Sequence, residues 1–228
     1  GRASMHHYIN SSMVKSNMRE SFSNKLATMF KEEMPEYGQL VTLVNGVNEK
    51  VINQNPSLLG TKTKEQYLKL LLQERHGAIR LSKPEELNMV SRIMDVMGMK
   101  PVDFYPLTAS GIPVNSTAFR PVTTDEIEAC PFRLFTSLVD TDYLQKIDPK
   151  KAAVFESFVI NRDLFSKDLR HLLHEMESKA TVSASLQDEF LKHVVDVFKF
   201  KPEIVPSLDR KTYNVLAELH PILPDMVL

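Results

Sequence analysis

The stretch Glu74-Arg75-His76-Gly77-Ala78-Ile79-Arg80 sets an imidazole and a guanidinium four residues apart, in a run that alternates like a strand. If residues 76–81 are extended, His76, Ala78 and Arg80 share one face, while Gly77, Ile79 and Leu81 take the other. Strand rise separates the Cα atoms of His76 and Arg80 by roughly 13 Å. A metal ligand and an anion clamp reaching into one cavity would use that arrangement. A hydrogen-bonded core histidine and a structural ion pair would use it as well. Two later stretches carry matching chemistry. In 115–121, Ser116, Ala118 and Arg120 fall on one face, and in 131–138 Arg133, Phe135 and Ser137 do the same. An arginine inside a sheet is not buried without a partner, and its planar fork suits a carboxylate. Arg80, Arg120 and Arg133 with the hydroxyls of Ser116 and Ser137 thus suggest an acidic small molecule with one or two carboxylates. The alternative is that each arginine pairs with a nearby Asp or Glu.

Other reactive side chains carry weaker signals. His171 and His174 sit three apart before Glu175, a spacing and order that match neither a zinc-protease helix nor its inverse. They and His193 read as solvated helix positions. Cys130 precedes Pro131 with no base beside it and reads as a small buried hydrophobe, so hydrolase chemistry there ranks below the other readings. With seven glycines the chain has neither a phosphate-binding loop nor a dinucleotide fingerprint.

The elements that must position these residues follow from periodicity. Phe22, Leu26, Met29 and Phe30 predict a helix over 17–33, ended by Pro35. Further helices are expected over 37–52 and 64–73, the latter delivering the chain to His76. Ser82 and Glu85 form a capping box with Pro84 in the first turn, opening a helix over 84–97 that Gly98 stops. Strands are expected at 101–105, 114–122 and 132–139, with a turn at 108–113 and a helical turn at 124–129. Helices at 152–160, 163–177, 185–198 (Ser185 as cap, Asp188 as first-turn acid) and 209–219 close the chain. The fold class is α+β: a small curved mixed β-sheet flanked by N-terminal and C-terminal helices. Residues 1–15 read as a disordered or tag-derived N-terminus, with Gly1-Arg2-Ala3-Ser4 as a cloning remnant. Residues 16–228 then form a single α+β domain, helical at 16–73, sheet-containing at 74–140 and helical at 141–228.

Composition excludes several classes of function. The chain has 228 residues, 28 basic and 29 acidic, for a net charge of -1, which gives no electrostatic footprint for nucleic acid. No run approaches the roughly eighteen apolar residues that span a bilayer, and the N-terminus has no apolar signal core. One cysteine rules out an internal disulfide framework and fits a reducing compartment. A cytoplasmic protein without nucleic-acid or membrane partners is expected.

Glu74–Arg80, then Val96-Met97-Gly98-Met99 and Pro101-Val102, then Ser116-Thr117-Ala118-Phe119-Arg120-Pro121 and Pro131–Leu138, resemble the 2-oxoadipate dioxygenase/decarboxylase family (DUF1338) in order and spacing. The resemblance runs from about Tyr37 to the C-terminal helices. It implies a core similar to vicinal-oxygen-chelate proteins and one non-haem Fe(II) held by two histidines and a glutamate. It also implies conversion of 2-oxoadipate and O2 to 2-hydroxyglutarate and CO2 in lysine breakdown. On this pattern His76 matches the first iron ligand, and Arg80 the arginine that grips the distal carboxylate of the substrate. Two neutral imidazoles and a carboxylate leave iron positions open for a chelating 2-oxo acid and O2. The family's second histidine and its glutamate belong to segments past the equivalent of Leu228, and Asn115 stands where many relatives would carry histidine. His220 is a candidate replacement ligand. The alternative to a dioxygenase is a metal-poor, non-catalytic binding protein for a small carboxylate ligand.

Overall fold

The structure is a computed structural model that describes residues 6–9, 11–33, 76–199 and 210–226, with short pieces at 50, 53–54 and 56–59. The helices expected over 37–52 and 64–73 lie outside the described residues, apart from position 50. Among the described residues no helix is long and apolar enough to cross a membrane.

A four-stranded sheet organises the molecule. Its strands are β2 (His76–Leu81), β3 (Lys100–Pro106), β4 (Val114–Arg120) and β5 (Arg133–Val139), in the spatial order β2-β5-β4-β3. β2 runs parallel to β5, and the other two pairings are antiparallel. Between β2 and β3, the two edge strands, the chain crosses the sheet through helix α2 (Pro84–Val96). This is the expected mixed sheet flanked by helices.

One face of the sheet carries the main core. Leu81, Leu134 and Phe119 are buried there with Val90, Ile93 and Met94 of α2 and Phe190 and Val194 of α7 (Ala184–Phe198). Helix α1 (Ser12–Glu33) adds Val14, Met18, Phe22, Leu26 and Met29, the stripe of a helix with one packed side. Phe22 meets Phe132 edge-on at 5.5 Å between ring centroids. Gly77 allows β2 to come this close, since a Cβ there would lie 3.0 Å from Phe132 Cζ and 3.2 Å from Leu134 Cδ1.

The opposite face is covered at one end only. Val114 and Val139 pair across β4 and β5 and join a second cluster. That cluster contains Leu144 of α4 (Thr141–Ile147), Ala152, Phe155 and Val159 of α5 (Pro149–Val159), Leu216 of α8 (Arg210–Leu219) and Leu223 of α9 (Leu223–Met226).

Several boundaries differ from expectation. The capping box sits one residue later than Ser82 and Glu85. Lys83 is the N-cap, and the Glu86 carboxylate accepts from the backbone N–H groups of Ser82 (2.7 Å) and Lys83 (3.1 Å). Gly98 ends this helix with φ of 75°, and a Cβ there would also lie 3.0 Å from the Arg19 guanidinium. For α7 the cap is Ser183, which accepts from Leu186 N–H, rather than Ser185, and no acid occupies its first turn. Helix α6 (Lys167–Ser178) starts after 163–165, because Ser166 caps it. The segment 141–147, assigned no element from sequence, is a helix capped by Asp140, and Asp148 caps the next one. Within the stretch 1–15, read as disordered or tag-derived, His6–Tyr8 forms strand β1 and α1 begins at Ser12. β1 pairs antiparallel with β6 (Thr181–Ser183).

One charged side chain lies wholly inside. Arg19 is fully buried and donates to the carbonyls of Met97 (2.8 Å), Glu126 (2.8 Å) and Cys130 (3.3 Å) and to Ser16 Oγ (2.9 Å). It ties α1 to the end of α2 and to α3 (Thr124–Ala129), at Glu126 within that helix and at Cys130 just past its end. Desolvation pulls its pKa below the ordinary value, against the favourable field of Glu126.

Candidate functional site

Register, rather than sequence proximity, assembles the site. Arg80 is level with Ser137, Ser137 with Ser116, and Ser116 with Tyr105, so one row crosses all four strands. The next row runs Ala78, Phe135, Ala118, Asp103. A third pairs His76 with Arg133 and Lys100 with Arg120, where Arg120 follows the Phe119–Leu134 pair and is level with Arg133. Neighbouring strands are about 4.8 Å apart and successive rows about 7 Å apart. All six positions singled out from the sequence, at 76, 80, 116, 120, 133 and 137, therefore occupy the face opposite the main core. The second cluster covers this face only beyond the row of Arg80.

The two polar rows flank a row in which two alanines alternate with Phe135 and Asp103. Ala78 and Ala118 leave room above the middle row, and Phe135 stands between them, 38% exposed. Arg80 and Arg133 are exposed, and no described residue hydrogen-bonds or ion-pairs with either guanidinium. The alternative of a local Asp or Glu partner is thus not realised among the described residues. Arg120 is half-buried and donates to the Pro121 carbonyl at 3.0 Å. A guanidinium exposed on such a face has the geometry to grip a carboxylate through two parallel hydrogen bonds.

Three positions on this face escaped the sequence reading: Lys100, Asp103 and Tyr105. A β-bulge between Pro101 and Asp103 changes the parity of β3. Strict alternation from Lys100 would have put Val102, Phe104 and Pro106 on the site face. The proline at 101 in an edge strand was the available signal.

Other candidates lie elsewhere. Asn115 is level with Leu138, on the face turned to the helices, and its side-chain amide donates to Asp140 at 3.3 Å. The substitution noted there removes nothing from the site face. His220 Nδ1 accepts from the Ile222 N–H at 3.1 Å, a local turn contact rather than a place among the rows. His171 and His174 are exposed on α6, with His171 3.6 Å from Glu175. Cys130 is buried and free, and burial pushes its thiol pKa up, so it is held as a neutral thiol. Among the described residues no three His, Cys, Asp or Glu side chains come together as a metal site. The described part of the face has one histidine position, 76, and one carboxylate, Asp103 on the far edge strand, and does not by itself make up a two-histidine, one-carboxylate set.

Comparison with known proteins identifies the family. The model of the family 2-oxoadipate dioxygenase/decarboxylase matches residues 22–228. The 2-oxoadipate dioxygenase/decarboxylase of Shigella flexneri is 35% identical over 217 residues, covering 95% of this chain and 47% of that protein. The crystal structure of the hydroxyglutarate synthase from Pseudomonas putida in complex with 2-oxoadipate superposes with a TM-score of 0.80 at 30% identity, covering 93% of this chain and 46% of that one. A glyoxalase superfamily protein from Ralstonia eutropha JMP134, 12% identical, shares the fold with a TM-score of 0.57 over 92% of this chain and 58% of its own. The chain spans about half the length of the curated relatives it matches.

Proposed function

Because the chain belongs to the 2-oxoadipate dioxygenase/decarboxylase family, we propose that the open sheet face is its contribution to the substrate site of such an enzyme. The reaction is 2-oxoadipate plus O2 giving 2-hydroxyglutarate plus CO2, which balances in carbon, hydrogen and oxygen. The observation that carries the reading is the pair of polar rows, about 13 Å apart at Cα by strand rise, with Ala78, Phe135, Ala118 and Asp103 in the row between them. A dicarboxylate laid across the middle row would turn one carboxylate toward each polar row, whose long side chains would reach inward to meet it.

The distal carboxylate meets Arg80, Ser137 and Ser116, where a planar guanidinium and two hydroxyls can donate together. Arg133 and Arg120 lie in the row of His76 and offset the negative charge of the 2-oxo acid end. Ala78 and Ala118 accommodate the methylene chain and exclude water from beneath it. Fe(II) is the metal this reading requires. His76 is the ligand that this face would give it, and bound iron supplies the oxygen and decarboxylation chemistry. The reaction belongs to lysine breakdown, and the free, buried Cys130 agrees with a reducing compartment such as the cytoplasm.

The test is oxygen uptake by the protein loaded anaerobically with Fe(II) and given 2-oxoadipate. His76→Ala is expected to abolish uptake. Arg80→Lys keeps the charge but loses the fork, and should raise KM about tenfold with a smaller change in kcat. Uptake that persists in His76→Ala would sink the assignment of iron to this face.

A further inference from the structure

The bulge in β3 has a chemical result at the site. It turns Tyr105 onto the same face as Arg80, level with Ser116 and Ser137, and sends Phe104 to the other side. The row then has a long donor at each end and two short hydroxyls between. Three strand spacings put Arg80 and Tyr105 roughly 14 Å apart at Cα. An arginine and a tyrosine pointing inward from that distance close most of the gap above the serines. Tyr105 is 53% exposed, and no described residue hydrogen-bonds with its hydroxyl. An aromatic ring left half in water, on a strand that needed an irregularity to place it there, is unexplained by packing.

We propose that Tyr105 is a specificity-determining residue, whose hydroxyl donates to the distal carboxylate of the dicarboxylic 2-oxo acid opposite Arg80. The inference rests on the reading of this face as a 2-oxoadipate site and names the residue that closes its far wall. Asp103, brought to the same face by the same bulge, lies in the middle row. Its negative charge repels a carboxylate there and so favours seating of the two carboxylates in the outer rows.

The experiment is calorimetric titration under anaerobic conditions with Fe(II) present, using 2-oxoadipate and, in parallel, 2-oxohexanoate, which lacks the distal carboxylate. The protein is expected to prefer 2-oxoadipate. Tyr105→Phe should lose about tenfold in affinity for 2-oxoadipate, the scale of one hydrogen bond to a charged group, and nothing for 2-oxohexanoate. Phe104→Ala, one residue away on the opposite face, should leave the preference intact. If the unsubstituted protein binds neither acid, or binds both alike, the functional reading falls and this inference with it. If it prefers 2-oxoadipate and Tyr105→Phe keeps that preference, the inference alone is overturned.

Discussion

Arg19 and Arg80 show how one side-chain type can be used in two ways. Arg19 spends its donors on three backbone carbonyls and one hydroxyl, fully buried. Arg80 is held at a surface with no described partner. In sequence the second was legible, because alternation around His76 exposed its face and a charge in a strand asks for an explanation. The first was not, since Arg19 sits among polar residues at the start of a helix and its acceptors are scattered through residues 97–130. Arg19→Met fills similar volume but strands those carbonyls, each at about 1–3 kcal/mol if it stays dry. A loss of about 3 kcal/mol or more in urea unfolding is expected, with an unchanged slope. A loss below about 1 kcal/mol would show that the carbonyls find water and that the residue is no staple.

Among the elements, strands were read more reliably than their details. Alternation located β2, β4 and β5 to within a residue or two at each end, and with them the shared face of Arg80, Ser116, Arg120, Arg133 and Ser137. The bulge in β3 was invisible because one extra residue leaves composition unchanged while reversing every later side chain. Strands β1 and β6 are three residues each, too short to show a period. The helix at 141–147 was missed although Asp140 caps it and Asp148 caps the next, because a seven-residue helix has room for only one buried apolar residue, Leu144. The shift of the α2 cap has an energetic reason. Glu86 satisfies two N–H groups of the turn and also takes both of its oxygens to Arg162, at 2.8 and 3.0 Å, in a nearly buried pair. Glu86→Gln removes the charge and leaves the guanidinium buried. A loss of about 3 kcal/mol in thermal or urea unfolding is expected, larger than the roughly 1 kcal/mol of a lost cap alone.

At the scale of the molecule, two hydrophobic clusters lie on opposite faces of one sheet and are unequal in size. The larger joins α1, α2, α6 and α7, and the smaller holds α4, α5, α8 and α9 against the end of the site face. Smaller apolar units open at lower free energy. Amide hydrogen exchange should therefore be faster for 141–159 and 210–219 than for 84–96 and 184–198. Equal protection in both sets would mean that the sheet couples them into one cooperative unit. Among the described residues, the site face is thus bounded by the smaller of the two clusters. Arg19 adds a matter of timing. Its carbonyl acceptors lie 78, 107 and 111 residues further along the chain. At a synthesis rate of roughly 5–20 residues per second, helix α1 waits on the order of 5–20 s after it is made before the last of them exists. Phe22 waits as long for the ring of Phe132, and longer still for that of Phe198, so the first helix reaches its described aromatic contacts only once most of the chain has been made.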